Sequence, residues 1–109
     1  MTSASSSKVA LVTGGSRGIG RACVVALAEQ GFNVVFSYAS NKQAAQDVET
    51  TVKVLGQEVL SLQSDVGSPA NAQFLVDETM NRFGRLDVLV NNAGVTRYIT
   101  DSDERRGLG

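Results

Sequence analysis

The eight residues from Thr13 to Gly20 read TGGSRGIG, and they join an apolar run at 9–12 to a helical pattern that begins near Ile19. A buried strand, a glycine-rich turn and a helix in this order are typical of phosphate-binding sites. Glycines allow the turn to adopt positive φ angles and let the backbone come close to a ligand. The helix that follows directs unpaired N–H groups, and the positive end of its dipole, at an anion. The stretch therefore predicts a phosphate-binding turn.

The spacing of the glycines separates the known kinds of phosphate-binding turn. Gly14, Gly18 and Gly20 give the pattern G-x-x-x-G-x-G, which differs from the G-x-G-x-x-G of the general dinucleotide fingerprint. A P-loop requires Lys and then Ser or Thr after its last glycine. This chain has Arg21 and Ala22 there, so the P-loop is excluded. The alternative to a phosphate site is a glycine turn that only joins a strand to a helix.

The composition limits the function classes that the chain can belong to. Its 109 residues are 42 % apolar, which is enough for the core of one small domain. Ten basic and eleven acidic residues leave a net charge of −1, and no stripe of basic residues suggests nucleic-acid binding. The single cysteine excludes an internal disulfide, and with no histidine we expect no metal site. No apolar run approaches the roughly 20 residues of a membrane span. Residues 1–7 are predicted to be a disordered lead-in and not a signal peptide, so we expect a soluble, cytoplasmic chain.

Apolar periodicity predicts four strands that alternate with three helices. We expect strands at 9–12, 33–38, 58–63 and 86–90, and helices that begin near Ile19, Ser40 and Ser68. A glycine suited to the left-handed position past a helix end closes each helix, namely Gly31, Gly56 and Gly84. This alternation predicts right-handed crossovers and an α/β, partial Rossmann (doubly wound) fold, with a parallel sheet in the order 3-2-1-4. The ligand crevice then lies between the first and fourth strands, where the strand order reverses.

The same periodicity predicts which helix faces are buried. The inward residues of the first helix are expected to be Ile19, Ala22, Cys23, Ala26 and Leu27. We interpret Cys23 as a small core residue, and a reactive thiol is the alternative. The inward residues of the second helix are expected to be Ala45, Val48, Val52 and Leu55, and those of the third Ala72, Leu75, Val76, Thr79, Met80 and Phe83.

Two helix starts carry capping signals. Ser40 with Gln43 three residues later matches a capping box for the second helix. Ser68 followed by Pro69 matches an N-cap with proline at the first helical position.

The T-G-x-x-x-G-x-G pattern at 13–20 resembles the short-chain dehydrogenase/reductase family, and the NNAG stretch at 91–94 resembles the second hallmark of that family. The resemblance covers Lys8 to Arg97 and is greatest to the 3-oxoacyl-acyl-carrier-protein reductases. It implies an NADP-binding Rossmann half-domain at 8–97 and, for an intact relative, hydride transfer from NADPH to a carbonyl in fatty-acid or polyketide-type synthesis. It also implies that intact relatives are homotetramers.

The residues after the second strand favour NADP(H) over NAD(H) as the implied cofactor. NAD-specific sites usually place a carboxylate there, whereas the residues at 37–42 read SYASNK and include no acid. A 2′-phosphate needs hydrogen-bond donors and positive charge. Ser37, Ser40, Asn41 and Lys42 offer donors, and Arg17 is the usual cation of the family for this role. The alternatives are that Arg17 is a solvated loop residue and that Ser40 caps the helix, a role compatible with phosphate contact.

The resemblance implies further contacts to the cofactor. Asp65 is expected to accept from the adenine amine while Val66 packs on the ring, although Asp65 could instead cap a turn. Asn91 is expected to hold the sheet together, and the next three residues to line the ribose crevice. The complete predicted cofactor-binding set is Gly14, Ser16, Arg17, Gly18, Ile19, Gly20, Ser37, Tyr38, Ser40, Asp65, Val66, Asn92, Ala93 and Gly94.

No catalytic residue is expected within the 109 residues. The resemblance implies a proton-donating tyrosine with a lysine four residues later, and a serine, all of which come after the NNAG strand. Tyr38 and Lys42 have this spacing, but they are predicted at a strand end and a helix start on the adenosine side, so we reject them as catalytic. The other tyrosine, Tyr98, has Ser102 at the lysine position.

From Tyr98 onward the sequence departs from the family pattern. Residues 98–109 are predicted to be an atypical polar tail with too few apolar residues for the amphipathic helix that makes subunit contacts in intact relatives. We expect a truncated product, an altered reading frame or a fragment, inactive alone. The alternatives are a non-catalytic nucleotide-binding or regulatory fragment and a polypeptide that does not fold by itself.

Overall fold

Strands and helices alternate along the chain as predicted. The structure is a computed structural model that describes residues 7–16, 18–64 and 69–92. Its elements are β1 (Val9–Thr13), α1 (Gly18–Glu29), β2 (Asn33–Tyr38), α2 (Lys42–Val54), β3 (Val59–Gln63), α3 (Pro69–Phe83) and β4 (Val88–Asn91). The predictions for 1–6, Arg17, Asp65, Val66, Ser68, Ala93, Gly94 and the tail at 98–109 lie outside the described residues.

The four described strands form one parallel sheet in the order β3-β2-β1-β4, which confirms the predicted topology. In the register, Leu11 of β1 lies between Val35 of β2 and Leu89 of β4. The strand order reverses between β1 and β4, so the crevice beyond their carboxyl ends is where an α/β sheet binds its ligand.

Helices cover both faces of the sheet. On one face, α1 and α2 pack against β2, with Val24, Phe36 and Val48 fully buried in one cluster. On the other face, α3 supplies Leu75, which packs with residues of β1 and β2. Every residue of β1 and β2 is buried because both strands are covered on both sides. β4 is covered less completely, and Leu89 is 55 % exposed.

The predicted inward face of α1 was wrong for three of its five residues. Its buried residues are Gly20, Val24 and Ala28, whereas Cys23 and Leu27 are half-buried and the other predicted core residues, Ile19, Ala22 and Ala26, are exposed. The helix is apolar on most of its circumference, so periodicity does not single out one face. Contact decides the rotation: a Cβ on Gly20 would lie 1.9 Å from the Gly14 carbonyl oxygen, so the glycine faces the turn.

The start of α2 also differs from the prediction. The N-cap is Asn41 and not Ser40, because the Asn41 Oδ1 accepts a hydrogen bond from the Ala44 N–H at 3.0 Å. The Gln43 side chain donates to Asp47, so no capping box forms. Asparagine caps helices as well as serine does, and the helix therefore begins one residue later than a Ser40 cap would place it. Its predicted inward residues Ala45, Val48 and Val52 are buried, but Leu55 is exposed.

The helix ends and α3 agree more closely with the sequence. Gly31, Gly56 and Gly84 have φ angles of 96°, 90° and 76°, the left-handed conformation expected past a helix end. α3 begins at Pro69 as predicted. Its inward side holds Leu75 and Thr79 fully buried and Val76 and Phe83 half-buried, while Ala72 and Met80 are exposed. The predicted bounds of β3 and β4 are off by one or two residues.

Candidate dinucleotide-binding site

The glycine turn after β1 is bound to the end of β2. Gly14 has a φ of 68°, and its N–H donates to the Ser37 Oγ at 3.0 Å. The next amide, that of Gly15, donates to the Ser37 carbonyl at 2.9 Å. Ser37 is 1 % exposed, so its hydroxyl lies inside the protein and not on the ligand side of the turn.

Two glycines of the turn are required by close packing. A Cβ on Gly15 would lie 2.6 Å from the Phe36 Cβ and 2.9 Å from the Val24 Cγ2. A Cβ on Gly20 would collide with the Gly14 carbonyl. Gly15 was not in the predicted set, since the family pattern fixes only three glycines, and the signal that could have found it is its place beside a buried strand. Gly18 differs: its φ is 62° and open space surrounds the position of its missing Cβ.

The second motif contacts the first across β1 and β4. The Asn92 Nδ2 donates to the Gly14 carbonyl oxygen at 3.2 Å, so the Gly14 peptide is bound from two strands. The Thr13 hydroxyl donates to the Asn91 Oδ1 at 3.1 Å, which is the sheet-holding role that the resemblance implies for Asn91. The structure therefore brings Gly14, Gly20, Ser37 and Asn92 together.

The start of α1 has the features of an anion site. For a helix that begins at Gly18, the N–H groups of Gly18, Ile19 and Gly20 have no acceptor within the helix. No acidic residue lies in this first turn, so no carboxylate competes with a bound anion or cancels the helix dipole. The Ile19 side chain is 75 % exposed, and an apolar side chain at this position can pack against a ligand that lies across the helix start.

A small pocket lies between the glycine turn and the end of β2. It has a volume of about 60 Å³ and is lined by Ser16, Ala39, Ser40 and Asn41, which is more than the roughly 10–15 Å³ that one water needs. Ser16 is only 9 % exposed. None of the residues that the structure describes forms a hydrogen bond with the Ser16 side chain. A serine hydroxyl at the edge of a pocket suits a ligand that brings an acceptor into it.

The Tyr38–Lys42 pair does not have the geometry of a catalytic pair. Tyr38 ends β2 and is 8 % exposed within the core beneath α1 and α2. Lys42 is the first residue of α2. The two residues lie at a strand end and a helix start, as predicted, and do not share a helix face.

The described residues offer neither a metal site nor a membrane-spanning helix. Within 7–16, 18–64 and 69–92, no group of three or more histidine, cysteine or acidic side chains could hold a metal ion. None of the helices described is both long enough and apolar enough to cross a bilayer. Cys23 lies half-buried at the edge of the α1 core, beside Leu27 and Val90.

A charged contact lies at the amino end of β1, the end opposite the glycine turn. The Asp87 carboxylate accepts from the Val9 N–H at 2.9 Å and forms two hydrogen bonds, each of 2.8 Å, with the Arg85 guanidinium. The Arg85 hydrogen bonds, and then the Val9 amide, lower the pKa of Asp87 from its usual value to about 2. This carboxylate joins β1 to the residues before β4 at the amino ends of both strands.

Comparison with known proteins gives one family. The profile of the short chain dehydrogenase family matches residues 8–106, past the boundary at Arg97 that the sequence motifs suggest. The 3-oxoacyl-(acyl-carrier-protein) reductase FabG of Staphylococcus aureus is 46 % identical over 90 residues, which are 83 % of this chain and 37 % of the relative. Versicolorin reductase 1 of Aspergillus parasiticus is 45 % identical over 91 residues, 84 % of this chain and 35 % of the relative. The chain thus spans just over a third of the length of these relatives.

Solved structures that resemble this chain include further dehydrogenases. A double mutant of a Serratia marcescens short-chain dehydrogenase/reductase superimposes with a TM-score of 0.77 at 44 % identity, covering 89 % of this chain and 39 % of that one. Acetoin dehydrogenase from Enterobacter cloacae gives a TM-score of 0.74 at 39 % identity, covering 79 % of this chain and 34 % of that one.

Proposed function

This chain belongs to the short-chain dehydrogenase family, and from this membership we propose that it is the cofactor-binding part of an NADP(H)-dependent carbonyl reductase. Proteins of this family bind nicotinamide dinucleotides. Two of its relatives, at 46 % and 45 % identity, are named as reductases. The substrate class that we propose for the whole enzyme is a 3-oxoacyl thioester on acyl-carrier protein, by similarity to the first of these relatives.

The pyrophosphate would be held at the start of α1. The N–H groups of Gly18, Ile19 and Gly20 are the donors, and the helix dipole favours the negative charge. Gly18 adds open space above the turn. Asn92, Ala93 and Gly94 would line the ribose crevice, and Asp65 and Val66 would flank the adenine.

The preference for a 2′-phosphate rests on Ser16. This residue is 9 % exposed and lines a pocket shared with Ser40 and Asn41. A serine hydroxyl and an asparagine amide both donate hydrogen bonds to phosphate oxygens, and no carboxylate lines this pocket. We propose that the phosphate enters here and that Arg17 supplies the positive charge. Ser37 and Tyr38, which are buried, would support this site from within the protein.

The cofactor and the chain would have different roles in the reaction. When bound, the cofactor supplies the hydride that reduces a carbonyl carbon. The side chains and amides described above bind and orient it. We propose that the proton donor implied by the resemblance is not among these 109 residues, since the tyrosine of the one Tyr-x-x-x-Lys pair is buried in the core. We therefore propose that this chain alone binds NADPH without turnover of a 3-oxoacyl thioester.

A titration with both dinucleotides tests the proposal. NADPH is expected to bind more tightly than NADH, and Ser16→Ala is expected to weaken NADPH about fivefold or more while leaving NADH affinity unchanged. Thr50→Ala is the matched control, because the Thr50 hydroxyl is exposed and bonds only within α2. Equal or tighter binding of NADH would refute the NADP assignment. An equal effect of Ser16→Ala on both dinucleotides would refute the role of Ser16.

A further inference from the structure

We propose that Ser37 is a positioning residue, which sets the place of the glycine turn without touching the dinucleotide; this inference rests on the function proposed above. Its side chain is 1 % exposed, so a ligand cannot reach it. Its hydroxyl oxygen accepts from the Gly14 N–H, and its carbonyl oxygen accepts from the Gly15 N–H. One buried residue of β2 thus binds two successive amides of the turn.

These two hydrogen bonds divide the amides of the turn into two groups. The Gly14 and Gly15 amides point into the protein and cannot donate to a phosphate. The amides at the start of α1 have no partner within the helix and remain available to a ligand. Ser37 therefore fixes which way the turn faces.

Gly14 contacts the first turn of α1 directly, so its position affects that of the helix start. The Gly14 carbonyl lies so close to Gly20 that a Cβ there would be 1.9 Å from its oxygen. The same carbonyl accepts from Asn92 of the β4 end. A shift of Gly14 away from Ser37 would therefore move or loosen the first turn of α1, where the phosphate donors lie. A serine suits this task because its short side chain reaches the amide from a buried strand end.

A pair of variants separates positioning from general stability. Ser37→Ala removes the acceptor of the Gly14 N–H. Thr79→Val is the matched control, because Thr79 is fully buried and its hydroxyl donates to the Leu75 carbonyl within α3, on the face of the sheet opposite α1. Both variants are expected to lower the melting temperature. Only Ser37→Ala is expected to weaken NADPH binding, by about tenfold.

Two outcomes would overturn the inference and leave the proposed function standing: NADPH affinity of Ser37→Ala equal to that of the wild-type chain, or an equal loss in Thr79→Val. No NADPH binding by the wild-type chain would overturn the proposed function and this inference with it.

Amide hydrogen exchange of the wild-type chain gives a test that needs no variant. The Gly14 and Gly15 amides are expected to be protected without ligand and more protected with NADPH, and free exchange of either amide would overturn the positioning role.

Discussion

The two ends of β1 are held by different chemistry. At the amino end, the charged Asp87 carboxylate bonds the Val9 amide and the Arg85 guanidinium. At the carboxyl end, the neutral side chains of Ser37 and Asn92 bond the Gly14 peptide. A carboxylate on the glycine turn would repel the phosphates that the turn is proposed to bind. The difference shows how a fold can fix both ends of a central strand and keep negative charge away from one of them.

A methyl group added beside the glycine turn, at the carboxyl end of β1, is expected to have the largest effect on NADPH binding and stability. Gly20→Ala places a Cβ 1.9 Å from a backbone oxygen that cannot rotate away, so the turn and α1 must separate. We expect NADPH binding to be lost and the free energy of unfolding to fall by about 3 kcal/mol. Isothermal titration with NADPH and denaturant unfolding measure the two effects.

The control for this variant is Gly56→Ala. Gly56 is a glycine for a conformational reason, with a φ of 90°, and nothing lies within 4 Å of its missing Cβ. It is expected to lose about 1 kcal/mol of stability, from backbone strain alone, and to keep its affinity for NADPH. Wild-type affinity in Gly20→Ala would contradict the account of the turn.

Removal of the charge at the amino end is expected to change acid stability and not binding. The pKa of Asp87 is lowered to about 2 in the folded chain, so its ionised form stabilises the fold above its ordinary pKa near 4. That contribution is lost as the pH falls from about 4 to about 2. In Asp87→Asn this part of the acid transition should disappear, while NADPH affinity near neutral pH stays unchanged. Unfolding curves at a series of pH values check this, and identical pH profiles for the two chains would refute the assignment.

The sequence predicted the elements and their order because each depends on local signals. A continuous apolar run, a closing glycine or a proline at a helix start acts within a few residues, as Pro69 and Gly84 illustrate. Parallel crossovers have one preferred hand, so the sheet order followed from the alternation. The motif spacing likewise indicated that Gly14 and Asn92 share one crevice.

What the sequence could not predict depends on contacts between distant residues. The rotation of α1 is set by the contact of Gly20 with the turn, and its apolar residues occupy too many sides to reveal it. Ser37 has the chemistry of a ligand donor, but it is buried, and its hydroxyl oxygen accepts from an amide 23 residues away. Asn41 and Ser40 are both good caps, and only the backbone path at the start of α2 selects the asparagine.

The most direct test of the central claim is an amide NMR titration of the chain with NADPH. The claim is that the start of α1 and the adjoining Ser16 pocket form the phosphate-binding end of a dinucleotide site. The account predicts the largest shifts at the amides of Ser16, Gly18, Ile19 and Gly20, a second group of shifts at Ser40 and Asn41, and little change at Val9 and Asp87. Shifts concentrated at Val9 and Asp87, or no saturable shift at the glycine turn in a folded sample, would contradict it.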